Sequence, residues 1–401
     1  MKRLACICLF LAGTVAGVSA ATYYVDAARP DDAGDGATWA TAKRTIAAAL
    51  SLSSPERVYV RNGTYYLTVT LTMPSGCQLL GGYEGTTPEP GGRSADPAAA
   101  CIIDGCASNR VFTVEKCVSG TLIDGFTIRN GKVLPWSSGG GLYFNGSTGA
   151  VTRCRILSNY ASGGSGLGAG VLANASLVFM TNNVIADNNG GSGNGAAVYA
   201  QSGSSIHLVN NTIFNNNLYG DLGSGVYLAG GAHVLKNNII AANGRYGVYR
   251  TSGTVTSLYN DVWGHMISNY YNCAAGEGDF SRNPNLAGGS DYHPRSRAGS
   301  WHDGAWTADD DHSPCIDAGD PADDVGGELA ENGGRINVGA YGGTPLASKS
   351  IGYVPAAAPR YVRPHGYHPY RWASGHYLPR AYYGPSYYVD HRPYRLAPPP
   401  Y

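Results

Sequence analysis

Apolar residues return about every 27 positions between Ile128 and Val262, and the returns align residue by residue. Ile128, Ile156, Ile185, Ile213, Ile240 and Val262 are spaced by 28, 29, 28, 27 and 22 residues. Polar positions keep the same beat. Asn159, Asn188, Asn216 and Asn243 follow the aligned residue by three, and Cys154, Asn183, Asn211, Asn238 and Asn260 precede it by two. A second apolar column, Leu142, Val171, Val198, Val226 and Val248, runs alongside. A fixed period of this size predicts a solenoid whose equivalent positions stack.

Within a period the pattern alternates over short stretches. Ala197-Val198-Tyr199, Ser205 to Val209 and Thr212-Ile213-Phe214 are separated by Gly, Ser and Asn clusters. Strands this short, with no helix between them, suit a parallel coil that turns a corner after each strand. Hairpins would not stack like on like. An Asn at a corner satisfies stranded backbone groups and tolerates the left-handed backbone there. The aligned isoleucines fill the interior. The spacing of Trp39 to Leu52, with Ile46, Ala49 and Leu50 on one face, predicts the one helix, as an N-terminal cap over core that would otherwise be open. Ile103-Asp104-Gly105 and Ile123-Asp124-Gly125 mark where regular rungs begin.

The expected fold is therefore all-β, a parallel β-helix with a short N-terminal capping helix and an irregular C-terminal closing region. The expected segments are 1–20 signal peptide, 21–100 cap and first rungs, 101–263 β-helix, 264–348 closing region and 349–401 disordered tail. Lys2 and Arg3, the apolar Leu4 to Val18 and Val18-Ser19-Ala20 read as a secretory signal. The expected location is thus secreted, or the cell envelope, with no transmembrane segment.

Composition agrees with many tight turns: 57 Gly, and only 14% charged residues. The net charge of zero hides a division. Residues 351–401 carry six Arg and one Asp, net +5, and the signal carries +2, which leaves −7 for residues 21–350. That body gives no basis for nucleic-acid binding. The tail also holds eleven Tyr and four of the ten His; Arg and Tyr together suit an acidic wall polymer or sugars. Seven Cys remain after the signal. Cys154 stands in an Asn column and reads as a buried free thiol, while Cys273 with Cys315, and pairs among Cys77, Cys101, Cys106 and Cys117, are disulfide candidates. No spacing suggests a metal site or a cofactor.

The columned rungs resemble right-handed parallel β-helix proteins of the pectate-lyase-like superfamily. The Ile156 to Asn159 and Ile185 to Asn188 units, with Gly139-Gly140-Gly141-Leu142, are also similar to repeats of chlamydial polymorphic outer-membrane proteins. Tyr24-Val25-Asp26 with Asp35-Gly36 and Trp39 resembles the opening of exported bacterial β-helix proteins. Ser313 to Pro321 with Asn332 to Thr344 resembles their close. The resemblance covers residues 22–348 and implies export and fold, but no particular reaction.

Lyases of this superfamily use clustered carboxylates, calcium and a basic residue. Between Gly139 and Asp261 the carboxylates are Asp187, Asp221 and Asp261, at +2, +8 and −1, so they do not stack. The same count opposes hydrolysis. A calcium-free lyase could draw its base from Lys236, Arg245 and Arg250; His207 and His233, at −6 and −7, should face opposite ways. Serine nucleophiles lack a Gly-x-Ser-x-Gly and a partner His. Asp309-Asp310-Asp311 reads as a solvated loop. The glycine stretches Gly163–Gly170, Gly190–Gly195 and Gly220–Gly225 should bulge at one corner. Tyr143, Tyr199, Tyr227 and Tyr249 each follow the second apolar column, so alternation turns them outward as a ladder for sugar rings. The resulting expectation is a monomeric, adhesin-like or structural protein that binds a polysaccharide or cell-wall polymer without catalysis. The alternative is a polysaccharide lyase acting on an acidic glycan by β-elimination.

Overall fold

A computed structural model describes residues 21–134, 137–161, 166–190, 196–216 and 224–350. Residues 1–20, where a signal is expected, and the tail beyond Ser350 lie outside these residues, as do most of the glycine stretches, at 162–165, 191–195 and 217–223.

The sequence columns become hydrogen-bonded rows. Ile103, Ile128, Ile156, Ile185, Ile213, Ile240 and Val262 are register partners along one parallel sheet of eight strands. Phe112, Leu142, Val171, Val198, Val226 and Val248 are partners along a second. A third row, Leu79, Ile123, Val151, Met180, Leu208 and Leu235, completes the section. All three rows meet in one core whose members are almost wholly buried. The fold is a right-handed parallel β-helix with three faces, called here the tyrosine face (Leu142–Asn145 and its partners), the open face (Thr148–Thr152 and its partners) and the strapped face (Arg155–Leu157 and its partners).

Corners are built by columns of amides and hydroxyls. Asn183, Asn211, Asn238 and Asn260 form one chain: each backbone N–H and each Nδ2 donates to the next Oδ1, at 2.8–3.0 Å between the asparagines. Each Nδ2 also donates to a strand carbonyl of an earlier rung, as Asn211 does to Met180 O. Asn159, Asn188, Asn216 and Asn243 repeat the scheme at the next corner. A serine column, Ser147, Ser176 and Ser204, serves the third corner. Buried backbone donors are thereby paired at every turn. The last two rungs lose this corner: Ser224–Lys236 and Tyr246–Leu258 run through it as single strands, bent at Gly230, Gly231 and Gly253.

Three expectations need correction. The helix over Trp39–Leu52 is two pieces, a 3-10 turn at Trp39–Thr41 and a helix at Ile46–Leu50, and Pro97–Ala100 adds another short helix. Between the two pieces Lys43 joins the first strand: its N–H donates to Tyr24 O and its carbonyl accepts from Asp26 N, which forbids helix there. Thr45 then caps the second piece, whose Ile46, Ala49 and Leu50 enter the core. No disulfide forms. Cys77, Cys101, Cys117, Cys154 and Cys315 are buried free thiols, Cys106 is exposed and Cys273 half-buried. Cys315 bonds Asp261 Oδ2 at 3.3 Å, while Cys273 turns to Tyr271 O, so each sulfur is committed elsewhere. Finally, Asp309 is not simply solvated, as shown below.

After the last rung the chain closes the coil end with residues 264–283, then doubles back along the strapped face. Val338, Ala340, Tyr341 and Leu346 pack on Val184, Ala186, Ile239 and Ala241. Left-handed asparagines at one edge of that face hold the strap. Asn182 Nδ2 donates to Ala340 O and Gly342 O, and Asn210 Nδ2 to Asn337 O and Gly339 O.

Candidate functional site

The tyrosine column forms, and its geometry differs from a free platform. Tyr199, Tyr227 and Tyr249 are successive register partners, joined by Tyr271. Their ring centroids lie 4.4, 4.9 and 4.4 Å apart, with planes within 8°, 17° and 3° of parallel. Alternation turns them away from the interior, yet Tyr199, Tyr227 and Tyr249 are only 6–9% exposed. Stacking consumes the faces that a sugar ring would need. Leu172 fills the row between Tyr143 and Tyr199, so Tyr143 stands apart, under the Arg110 guanidinium at 4.8 Å. Leu167 and Ala229 pack over the column. Gly168, at φ +55°, passes so close that a Cβ there would lie 3.0 Å from the Tyr199 Cβ and 2.5 Å from Val171 O. Burial raises the Tyr249 hydroxyl pKa to about 12. Tyr271, missed from the sequence because the repeat shortens, is the exposed end of the stack at 44%.

The basic residues do not converge. Lys236 ion-pairs with Asp323 at 2.7 Å and Asp320 at 2.9 Å on the strap. These carboxylates, against the opposing effect of desolvation, hold its pKa above the ordinary value, which keeps it a cation rather than a proton acceptor. Arg250 donates to Asn272 O and Gly253 O. It pairs in register with Leu228, whereas Lys236 pairs with Leu258 at the far end of the same strands. The backbone carbonyl of Arg245 accepts from Ile267 N and Ser268 N. His207 and His233 do face opposite ways. His233 is buried and its Nδ1 accepts from Ile206 N, while His207 lies outside, 4.9 Å from the ring of Phe179.

Asp221 lies outside the described residues, and the other two carboxylates of the regular rungs are committed. Asp187 accepts from Asn215 and Tyr292, and Asp261 is sealed against Cys315 and Arg282 N. Among the described residues no group of three His, Cys, Asp or Glu could hold a metal ion, and no helix is long and apolar enough to cross a membrane.

One serine does have a partner histidine, contrary to the sequence expectation. Ser300 Oγ lies 2.7 Å from His302 Nε2, and His302 Nδ1 lies 2.5 Å from Asp291 Oδ2. The likeness to a nucleophilic triad ends there. Ser300 is fully buried and its hydroxyl donates to Asp309 Oδ2. His302 also faces Asp309 Oδ1 at 3.2 Å, and with carboxylates on both ring nitrogens its pKa is raised, despite the opposing effect of desolvation. A nucleophilic serine must be reachable and must donate its proton to the base, and Ser300 does neither. The spacing Ser-x-His was visible in the sequence, but its carboxylate partners come from other elements.

The remaining surface is the open face. Its outward columns read Thr148, Leu177, Ser205, Ala232, Thr254; then Ala150, Phe179, His207, Val234, Thr256; then Thr152, Thr181, Val209, Lys236, Leu258. Lys236, already paired, is the one permanent charge in this array. Phe179 is 39% exposed. The loop at Trp39 and the rings of Tyr24, Tyr59 and Tyr83 cover only the earlier rungs.

A family model described as a right handed beta helix region matches residues 94–275. The chain has the right-handed β-helix fold that this model describes. The matched span contains every asparagine of the two amide columns and stops inside the closing region, before the strap. No curated protein and no solved structure matches the chain.

Proposed function

We propose that this β-helix is an exported, non-catalytic binding protein whose open face takes a neutral, extended polysaccharide. One observation carries the reading. Of the three faces, one is strapped by the C-terminal segment and one is built of rings stacked on each other. The third presents a nearly uncharged array with the exposed Phe179 beside the half-buried His207 near its middle. An exposed apolar patch rimmed by hydroxyls suits a ligand with hydrophobic ring faces and many hydroxyls. The tyrosine ladder, by contrast, supports the coil from outside. Lyase chemistry finds no support in the cationic, strap-bound Lys236 or in Arg250, which is bound to carbonyls.

Retention on insoluble neutral polysaccharides, beside alginate and pectate, tests the reading. Binding to a neutral polymer that falls in Phe179→Ala and His207→Ala, with Tyr199→Phe unchanged, supports it. Equal retention of all variants, or none on any polymer, removes it. Unsaturated product from alginate or pectate, lost in Lys236→Ala, would establish the lyase instead.

A further inference from the structure

Ser300–His302 and Ala305–Thr307 form an antiparallel hairpin on the doubled-back chain. The hairpin holds the root of the C-terminal segment. Lys349 N donates to Gly299 O, Ser296 Oγ donates to Lys349 O, and Ser348 Oγ donates to Pro294 O at 2.6 Å. The Lys349 ammonium sits 4.6 Å from the centre of the Trp306 ring, which packs edge-on against Trp301. What fixes the hairpin is a polar cluster at its base. His302 bridges Asp291, on the strand before it, and Asp309, on the segment after it. Asp309 in turn accepts from Ser296 N and Ser300 Oγ.

We propose that His302 is a pH-operated latch: charged, it clamps Asp291 to Asp309 and fixes both the hairpin and the chain root at Ser348–Ser350; neutral, it releases them. A neutral imidazole has one N–H and cannot donate to both carboxylates. Loss of the proton leaves the two half-buried carboxylates with a single His302 N–H between them, so one of the two bridging bonds is lost and the clamp weakens. The neighbours set the sign. Asp291 also accepts from His293 Nδ1 at 2.7 Å; His293 is buried against Tyr341, and burial lowers its pKa. Arg155, paired with Asp96 at 2.6 Å, faces the same carboxylate from the strapped face. Arg295 with Asp311, Arg297, His312, Asp303 and Lys349 with Glu331 complete the charged surroundings. One carboxylate thus serves a neutral histidine and a charged one.

The folded state holds the His302 proton more tightly than the unfolded chain, whose pKa is near 6.5. The latch is therefore fully present below that value and is lost as pH rises through the higher folded value. Hydrogen exchange of the full chain tests this, with His302→Gln measured at each pH so that intrinsic exchange cancels. At about pH 5.5, amides of residues 299–307 and 347–350 should be about tenfold better protected in the parent, and at about pH 8.5 equally protected. His293→Gln should keep the pH dependence. Protection that differs equally at both pH values, or not at all, overturns the latch. Should His302→Gln fail to fold, the imidazole titration of the parent decides: a midpoint above 6.5 supports the proposal and one at or below it refutes it.

Discussion

Asn260 ends the first amide column on a carboxylate. Its backbone N–H and its Nδ2 both donate to Asp279 Oδ1, at 2.7 and 3.0 Å, where each earlier rung offers another asparagine. The second oxygen of Asp279 accepts from Ser257 Oγ, Tyr270 Oη and Gly276 N. Five donors converge on one buried group, so it must be acceptor-only. Asp279→Asn should destabilise by about 1–3 kcal/mol, since its amide places N–H against donors. The denaturant midpoint should fall with an unchanged slope; an unchanged midpoint contradicts the account.

The second column ends on His265. Its Nδ1 pairs with Asn269 Oδ1 at 2.9 Å, and its Nε2 faces Asn243 Nδ2 at 3.5 Å, an acceptor's position. Burial pushes its pKa down to about 4. Here the unfolded chain binds the proton more readily. The contribution is present above pH 6.5 and is lost as pH falls toward about 4, up to about 3 kcal/mol. His265→Asn should flatten that acid-side loss in thermal unfolding against pH.

Asp261 and Glu328 act in the opposite sense. Burial raises both to about 7. Their contributions are full below the ordinary carboxylate range and fade as pH rises through about 7. Asp261→Asn should remove part of the loss between about pH 4 and 7 while leaving the His265 slope in place.

The ring stack separates support from binding. Tyr227 is covered on both faces by Tyr199 and Tyr249, so Tyr227→Ala should cost about 3–5 kcal/mol and Tyr227→Phe under about 1.5. Phe179→Ala, on the open face, should change stability by less than about 1 kcal/mol and weaken polysaccharide retention. Equal loss of stability in the two alanine variants would show that the faces are misassigned.

Thiol labelling is a direct test of the cysteine assignment. Cys106 is the exposed one, while burial lifts Cys101 and Cys154 to about 12. Native protein should take up one maleimide quickly, at Cys106, and the buried thiols only after denaturation. Mass spectrometry after labelling in denaturant without reductant would reveal a disulfide as a pair of cysteines that stay unlabelled.

The repeating Ile and Asn positions determined the coil, its register and its interior, because each rung must match the next at every corner to bury apolar side chains and pair its backbone. Ile185 lies in the row its spacing assigned, and Ile185→Asp should unfold the protein by burying an unpaired charge. Alternation likewise sent Tyr199 outward and set His207 and His233 on opposite sides. Local rules stop at the coil surface. Whether an outward ring meets solvent, another ring or a returning chain depends on partners far away in sequence. The strap that neutralises Lys236 comes from Asp320 and Asp323, and the clasp around His302 needs Asp291 and Asp309 brought together by folding. Burial and charge pairing at those places are properties of assembled surfaces, so only the tertiary structure decided which face stayed open and which histidine came to lie between two carboxylates.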